Sequence, residues 1–400
     1  MSNWFSEPMP NEVSKEDIFA REDEFHHWNV YPFDLSENGY EGIIDKLKSY
    51  KAVDYEKLDD EGKERMVDEV LAIYREVDVF PIQYFSEAGV MNEISKCIEY
   101  PAKFEGNVVH CGAGIGTVVC NYLFPNLFDV PSQHDLTKDK EGAETAYLKF
   151  KSDEFLRRSI KFCFSYKNGC PVPTNVMGGL RLVGSTPTNF RPMNAKAIYE
   201  RFAPKGGTIY DFCCGFGGRL LGCLSSKNNY KYVGTDPNTE TMYNLHRLGE
   251  YIEMVTGRED SYELHCCGSE DFRGPANSVD FAFSSPPYFD LEVYSDEPTQ
   301  CFNKFPVLED WLEGYVRGTI KNIHHMLKPG CCYAVNIADF KVRGGGEVAY
   351  VDEWIRISTE EGMPLYDTVY LGVTARAGTK LQAAGELKKE NILVFKKPLL

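Results

Sequence analysis

A glycine-rich turn between a short apolar strand and a helix is the feature that most constrains the fold of this chain. The strand covers residues 208–211 and ends in Asp211, and Gly215, Gly217 and Gly218 follow before an apolar helical pattern begins. Glycine permits backbone turns that other residues disfavour and lets a ligand approach the main chain closely. Strand–turn–helix units of this kind bind nucleotides in parallel α/β sheets. A tight turn that binds nothing is the alternative.

Two further strand ends follow in the order that a doubly wound sheet requires. A second apolar strand, residues 230–235, ends at Asp236. An acid at this position can accept hydrogen bonds from both hydroxyls of a ribose. A third strand is predicted to end near residues 266–267, before Asp271 and Phe272. Asp271 can accept a hydrogen bond from an adenine amino group, and Phe272 can cover the ring. For each residue taken alone, a surface turn is the alternative.

A stiff loop after the next apolar strand indicates where chemistry occurs. The strand covers residues 279–283, and the loop contains Ser285, Pro286, Pro287 and Tyr288. Adjacent prolines neither continue a strand nor start a helix interior. The loop therefore holds a hydroxyl, a carbonyl and an aromatic face around one small space, which suits a planar base gripped by its exocyclic amino group. A plain strand end is the alternative interpretation.

Taken together, residues from about 189 to 400 resemble an S-adenosylmethionine-dependent amino-methyltransferase of the DNA N4-cytosine/N6-adenine family. The resemblance implies an α/β fold with a Rossmann-like class I methyltransferase sheet and S-adenosylmethionine as cofactor. It implies that the tetrapeptide from Ser285 to Tyr288 is catalytic. It also implies a set of cofactor-binding residues: Phe190, Asp211, Cys213, Gly215, Gly217, Asp236, Asp271 and Phe272.

The chain departs from the family pattern in two ways. A Pro-Phe or similar pair usually follows the first acid, whereas here Phe212, Cys213 and Cys214 follow it. DNA-reading members usually carry a large recognition insert, and neither the stretch before residue 285 nor the tail after residue 339 has room for one. A recognition module in this chain would therefore have to lie in its N-terminal part.

The N-terminal part is expected to be a separate, mainly helical region. We predict an acidic arm over residues 1–35, an accessory or recognition domain over residues 36–188, and the methyltransferase domain over residues 189–400. Apolar residues recur at helical spacing in residues 43–74 and 140–164. Residues 108–116 also read as a strand and a glycine-rich turn. No acid-ended strand follows them, so a bend packed against a neighbouring element is preferred over a second cofactor site.

The net charge of the chain affects whether it can bind a nucleic acid. The net charge of −17 does not give the positive field expected of a DNA-binding protein. A local basic stripe built on Arg157, Arg158, Lys161 and Lys167, a protein partner that supplies DNA contacts, or a single-stranded substrate would each reconcile the charge with DNA. The sequence contains neither a membrane-spanning apolar stretch nor a signal pattern at its start, so a cytoplasmic protein without a membrane partner is predicted.

Thirteen cysteines occur, including three adjacent pairs, and none has the C-x-x-C spacing of a zinc site. We predict no metal and interpret the cysteines as small packing residues of a reducing compartment. Cys213 and Cys214 are not expected to act as nucleophiles, because transfer of a methyl group to an amino nitrogen is a direct displacement that requires no covalent enzyme intermediate.

The predicted reaction requires the target base to leave its stack. An exocyclic amino group inside a duplex cannot reach the tetrapeptide, so the nucleotide must be flipped or already single-stranded. In the resembled family, serine at the first tetrapeptide position favours cytosine N4 over adenine N6. An RNA amino-methyltransferase and a non-catalytic methyltransferase-like subunit remain as alternatives.

Overall fold

The structure is a computed structural model, and it describes residues 12–25, 39–78, 80–112, 114–131, 145–182, 187–291, 293–341, 346–374, 384 and 386–399. These residues divide into two compact units. The first unit, here called the sheet unit, takes in the described residues of 1–22, 90–124 and 189–400. The second, here called the helical unit, takes in those of 23–89 and 125–188.

The strands of the described residues are β1 (Phe104–Glu105), β2 (Val108–Val109), β3 (Gly207–Asp211), β4 (Tyr230–Thr235), β5 (Tyr262–His265), β6 (Val279–Ser284), β7 (Leu327–Asn336), β8 (Phe340–Lys341), β9 (Glu347–Val348), β10 (Leu365–Thr374) and β11 (Leu387–Lys396). One sheet has the order β1-β2-β10-β11-β7-β6-β3-β4-β5, and β8 pairs with β9 separately. The pairs from β7 to β5 are parallel, whereas β11 runs antiparallel to both β7 and β10. The predicted Rossmann-like α/β sheet is confirmed.

The helices of the described residues are α1 (Lys15–Ala20), α2 (Gly39–Ser49), α3 (Ala52–Tyr55), α4 (Asp60–Val77), α5 (Glu87–Glu99), α6 (Thr117–Leu123), α7 (Ala146–Lys151), α8 (Asp153–Cys163), α9 (Pro173–Leu182), α10 (Pro192–Phe202), α11 (Gly218–Leu224), α12 (Thr239–Thr256), α13 (Cys301–Lys304), α14 (Leu308–Trp311), α15 (Arg317–Met326) and α16 (Tyr350–Glu360). None of these helices is long and apolar enough to cross a bilayer.

Burial on both faces explains why the central strands read as continuous apolar runs. In β6, Phe281, Ala282 and Phe283 have no exposed surface. Helix α10 covers one face, where Phe202 stacks on Phe281 with ring centroids 5.3 Å apart. Proline at the first position of α10 suits a helix start, because its missing N–H would have no partner inside the helix.

The sheet unit includes residues 90–124, which the sequence analysis placed in the accessory segment. The reason is strand pairing: β2 lies parallel to β10, with Val109 opposite Leu371. The amino group of Lys196, on α10, is buried and donates hydrogen bonds of 2.9 Å to the carbonyls of Cys97, Ile98 and Tyr100 at the end of α5. Residues 90–124 are thus held to the sheet by backbone pairing and by a buried cation.

The second glycine-rich turn packs against neighbouring elements at Gly112 and Gly116, as predicted. A Cβ atom at Gly112 would lie 2.7 Å from Cγ of Met193, and one at Gly116 would lie 2.8 Å from Sγ of Cys97. The backbone N–H of Gly112 donates to the Tyr100 hydroxyl at 3.0 Å. Protein side chains therefore fill the space beside Gly112 and Gly116 and bind the Gly112 N–H, whereas a Cβ atom at Gly114 would meet nothing within 4 Å.

Part of the predicted N-terminal arm lies among the described residues. Residues 1–11 and 26–38 lie outside the described residues. Within the sheet unit, the N–H of Val13 donates to the carbonyl of Cys266 at 3.2 Å, so this part of the arm lies along the sheet edge beside β5.

Three of the four cations in the predicted basic stripe, Arg157, Arg158 and Lys161, pair with acidic residues. Within the helical unit, the Arg157 guanidinium lies 3.0 Å from the Glu64 carboxylate, and Lys161 lies 2.6 Å from the same residue. Arg158 pairs with Glu154 at 3.0 Å. Glu64 on the facing helix α4 thus pairs with two of these cations, and Glu154 on α8 itself pairs with the third.

Candidate functional site

Asp211 ends β3 at the centre of the site and is fully buried. Its Oδ2 atom accepts hydrogen bonds from Nε of Arg219 at 2.8 Å and from the hydroxyl of Tyr232 at 2.7 Å. Its Oδ1 atom accepts from Oγ of Ser284 at 2.8 Å and from the N–H of Cys213 at 3.3 Å. Protein donors thus surround this carboxylate. These bonds fix the turn after β3, and the role of Asp211 as a cofactor residue stays a prediction.

Arg219 completes this arrangement from α11. Its side chain is 6% exposed, and besides pairing with Asp211 it donates to the carbonyl of Cys213. Its guanidinium carbon lies 5.7 Å from the ring centroid of Phe190. Burial alone would lower the pKa of Arg219, but the Asp211 carboxylate more than offsets this and raises the pKa above its ordinary value. The buried charges are therefore a matched pair.

The three glycines of the turn have different surroundings. Gly215 has φ of +56°, and a Cβ atom there would meet nothing closer than 3.8 Å. A Cβ atom at Gly217 would lie 2.6 Å from the Phe124 ring, and one at Gly218 would lie 1.9 Å from the Phe190 carbonyl. Only Gly215 therefore leaves the main chain open to a ligand. Gly217, predicted as a cofactor contact, faces packed protein.

Asp236 follows β4 and lies beside the open part of the turn. Its carboxylate accepts hydrogen bonds from the N–H of Gly215 at 2.9 Å and from the N–H of Asn238 at 3.1 Å. Burial raises the pKa of Asp236 to about 6, although these two bonds favour the charged form. Each carboxylate oxygen keeps acceptor capacity after one bond. The geometry therefore leaves room for ribose hydroxyls, and ribose binding by Asp236 stays a prediction.

Asp271 and Phe272, which the resemblance implied would bind the adenine, both contact other protein residues. Asp271 is held by Lys304, whose amino group lies 2.6 Å from both Asp271 and Glu270. Phe272 is fully buried, and its ring packs 5.5 Å from Tyr210. The aromatic face that should cover an adenine is therefore covered by protein, whereas the Asp271 carboxylate stays partly exposed.

Phe190 and Cys213 both lie beside Arg219 at the glycine-rich turn. The Phe190 ring packs edge-on against Phe283, with centroids 5.5 Å apart. The thiol of Cys213 lies 3.0 Å from the hydroxyl of Tyr315. Burial raises the pKa of the Cys213 thiol well above its ordinary value, so the thiol stays protonated and is a poor nucleophile, as the sequence analysis expected.

The tetrapeptide follows β6 on the neighbouring strand end. The Ser285 hydroxyl donates to the carbonyl of Asn336, at the end of β7, with a distance of 3.2 Å. A hydroxyl has one hydrogen and two lone pairs. Because its hydrogen is directed at Asn336, Ser285 presents lone pairs to other donors. The carbonyl of Pro286 accepts no hydrogen bond from the described residues, so the loop offers two acceptors.

Tyr288 is held in an aromatic cluster. Its hydroxyl accepts a hydrogen bond of 3.0 Å from the N–H of Ala338. Phe340 and Tyr350 pack against the ring with centroids 5.6 and 5.7 Å away, both in edge-to-face geometry. The next residue, Phe289, has φ of +41°, a strained conformation for a bulky side chain. Backbone strain of this kind clusters at functional loops.

Ser284 is a site residue that sequence reasoning missed. Its hydroxyl lies 2.8 Å from Oδ1 of Asp211 and 3.2 Å from the carbonyl of Cys213. It therefore connects the turn after β3 to the loop after β6. Serine commonly terminates strands, so Ser284 at the end of an apolar strand is only weak evidence for a site residue. The buried Asp211 on the adjacent strand is the feature that could have identified it.

Comparison with known proteins identifies no family, since no family model and no curated protein matches the chain. Among solved structures, a geranyl diphosphate methyltransferase in complex with GPP and sinefungin is 12% identical over 56% of this chain and 82% of that chain, with a TM-score of 0.36. A 1,6-didemethyltoxoflavin-N1-methyltransferase of Burkholderia thailandensis is 12% identical over 51% and 76%, with a TM-score of 0.32. TrmN from Thermus thermophilus is 13% identical over 52% and 48%, with a TM-score of 0.33. TM-scores this low do not identify a shared function.

Proposed function

We propose that the protein transfers a methyl group from S-adenosylmethionine to an exocyclic amino nitrogen of a nucleobase in DNA, with cytosine N4 favoured over adenine N6. The observation that carries the proposal is the pair of acceptors beside Tyr288. The Ser285 hydroxyl has its hydrogen directed at Asn336, and no described donor reaches the Pro286 carbonyl. Two acceptors next to an aromatic ring match the two N–H groups of an amino substituent on a flat base.

This geometry addresses the chemical difficulty of the reaction. The lone pair of an exocyclic amino nitrogen is delocalised into its ring, which makes the nitrogen a poor nucleophile. Hydrogen bonds from its N–H groups to Ser285 and Pro286 draw the nitrogen towards tetrahedral geometry and localise the lone pair. The base is stacked on Tyr288 and so presents the nitrogen in one orientation. Catalysis by positioning of this kind needs no enzyme nucleophile.

The residues around the glycine-rich turn fit the proposed cofactor. Gly215 leaves open space, and Asp236 stands 2.9 Å from its N–H with acceptor capacity for a ribose. Phe190 lies beside the turn, near Arg219. When bound there, the sulfonium cofactor would supply an electrophilic methyl group. Asp236 would orient the ribose, and the Asp211–Arg219 pair would hold the turn in shape beneath it.

A direct test is methyl transfer from radiolabelled S-adenosylmethionine to duplex DNA, single-stranded DNA and RNA in parallel, followed by nucleoside analysis. We expect N4-methylcytosine in one of the DNA substrates. Label in RNA alone would favour an RNA amino-methyltransferase. Cofactor binding without transfer to any nucleic acid would favour a non-catalytic subunit.

Variants of the tetrapeptide test the assigned roles. Ser285→Ala and Tyr288→Ala should slow single-turnover methyl transfer by one to several orders of magnitude and leave cofactor affinity within about twofold, since a contact made in the transition state affects the chemical step. Tyr288→Phe keeps the aromatic face and should retain most activity, but it leaves the N–H of Ala338 without its acceptor, so a stability loss of about 1 kcal/mol is expected.

Ser278→Ala and Tyr366→Ala are matched controls. Ser278 precedes β6 at its opposite end and donates to the Pro275 carbonyl, and Tyr366 is 61% exposed. Both should keep normal rates. Normal single-turnover rates in Ser285→Ala and Tyr288→Ala as well would refute the proposed chemistry.

A further inference from the structure

One segment of the sheet unit crosses the edge that carries the candidate cofactor residues. Residues 293–304, here called the crossing segment, follow the tetrapeptide loop at the end of β6. Along this segment, the Tyr294 ring lies 6.0 Å from the Phe216 ring, which belongs to the glycine-rich turn after β3. The Thr299 hydroxyl then donates a hydrogen bond of 3.2 Å to the carbonyl of Pro237, which follows β4.

The crossing segment ends beyond β5. The amino group of Lys304 lies 2.6 Å from the carboxylate of Asp271, in the turn that follows β5. Strands β6, β3, β4 and β5 are parallel neighbours in that order, so the segment meets successive strand ends from one side of the candidate cofactor site to the other. In open parallel sheets, ligands bind in the crevice outside these carboxyl ends. The crossing segment therefore lies across the crevice.

Glu297 fastens the middle of the crossing segment. Its carboxylate accepts a hydrogen bond of 2.6 Å from the hydroxyl of Thr239 and one of 3.3 Å from the N–H of the same residue. Arg21, from the N-terminal arm, adds an ion pair at 3.9 Å. Thr239 begins α12, and the positive end of a helix dipole favours a carboxylate. Asp236 lies three residues before Thr239, so the fastening point is next to the candidate ribose acid.

Side chains hold the crossing segment, and the backbone contributes little. None of residues 293–299 is buried. Within the described part of the chain, no backbone–backbone hydrogen bond joins these residues to another element. Segments with exposed surface and few hydrogen bonds open at a lower free energy than the strands beside them. The crossing segment can therefore open when a few side-chain contacts break, while the sheet stays intact.

The candidate cofactor residues next to the crossing segment lie in a recess. A Cβ atom at Gly215 would meet nothing closer than 3.8 Å. Asp236 keeps accessible surface, whereas the protein around it raises its pKa to about 6. The Asp271 side chain is 34% exposed, although Lys304 contacts it. Groups that are surrounded by protein and still accessible line a space that a ligand can enter.

We propose that the crossing segment is a cover that closes over S-adenosylmethionine, and that Glu297 is the positioning residue that holds the cover closed. The inference rests on the proposed function, because it takes this recess as the cofactor site. The Glu297–Thr239 bonds are formed in the structure, so the cofactor enters and leaves when they break. A closed cover excludes water from the site, and its opening sets the rate of cofactor exchange.

The experiment measures the rates at which the full chain binds and releases radiolabelled S-adenosylmethionine, by rapid filtration with an excess of unlabelled cofactor as the chase. Glu297→Ala and Thr239→Val should each raise both rates about tenfold, the effect of losing hydrogen bonds to a charged group. The Kd should stay nearly constant, because the fastening contact is the same in the empty and the loaded protein. Combining the two substitutions should add little, since both remove one contact.

Asp296→Ala is the matched control. Asp296 is the neighbouring acid of the crossing segment, and its exposed carboxylate makes no hydrogen bond to the described residues. The control loses the same charge as Glu297→Ala, and both of its rates should match those of the wild type.

The two rates separate a cover from an ordinary support of the site. Faster release without faster binding would make Glu297 such a support and would overturn the inference. Unchanged rates in both Glu297→Ala and Thr239→Val would overturn it as well. In either case wild-type protein that methylates DNA would leave the proposed function standing. Wild-type protein that binds no S-adenosylmethionine would overturn the proposed function together with the cover.

Discussion

Replacing Arg219 by methionine tests whether the buried ion pair holds the glycine-rich turn. The substitution preserves much of the apolar stem and removes the charge. Asp211 would then be a fully buried carboxylate without a counter-ion. We expect both the stability of the sheet unit and its affinity for S-adenosylmethionine to fall.

The structure sets the size of the stability loss. Breaking a buried pair by removing one partner typically costs about 3–5 kcal/mol, because a buried charge is left uncompensated. Asp211 would keep its hydrogen bonds from Tyr232, Ser284 and the N–H of Cys213. These donors offset part of the loss, so we expect the lower end of that range, about 3 kcal/mol.

The assay is hydrogen exchange of the amides of β3 and β6, measured by mass spectrometry over a urea titration. This readout is needed because two compact units need not unfold in one transition. Adding Asp211→Asn to Arg219→Met removes the stranded charge and should recover part of the loss, with a coupling free energy of about 2 kcal/mol.

Arg356→Met is the matched control. Arg356 is 44% exposed at its side chain and pairs with Glu353 and Glu360 on the surface of α16, so its removal should cost less than about 1 kcal/mol. If Arg219→Met costs no more than this control, or if the double variant recovers nothing, the ion pair does not hold the turn and the reasoning fails.

Two further predictions concern the cofactor acid and the second turn. Burial raises the pKa of Asp236 to about 6, and ribose binding needs the carboxylate, so cofactor affinity should be about tenfold weaker at pH 5 than at pH 7. Calorimetry should show this dependence in the wild type and its loss in Asp236→Asn; an equal dependence in both would exclude Asp236. Gly116→Ala should destabilise the sheet unit by several kcal/mol more than Gly106→Ala, since both have positive φ but only Gly116 meets side-chain atoms, within 2.8 Å. Equal losses in urea unfolding would contradict this packing argument.

The sheet could be predicted from the sequence because its central strands are buried on both faces. Mainly apolar runs before Asp211, Asp236 and Ser285 mark strands, and the residues after them mark their ends. The positions of Asp236 and the tetrapeptide followed from this order. Strand β2 could not be assigned to the sheet in this way, because two residues carry no periodicity.

The contacts of Asp211 and Phe272 could not be predicted, because they depend on residues far apart in the chain. The side-chain donors to Asp211 come from three different elements, and no spacing in the sequence connects Ser284 or Arg219 with it. Likewise, Phe272 was expected to face a ligand, whereas it packs on Tyr210 of β3. Long-range packing decides whether a residue in a motif faces a ligand or supports those that do.

The two adjacent serines show how such support fixes a reactive group. Successive residues at the end of a strand direct their side chains differently, and β6 lies between β3 and β7. Ser284 donates to Asp211 at the end of β3, and Ser285 donates to Asn336 at the end of β7. The loop is therefore tied to a neighbouring strand on each side. Because Ser285 gives its hydrogen to one of these bonds, the same contact that holds the loop also leaves its hydroxyl as an acceptor for the amino group of a base.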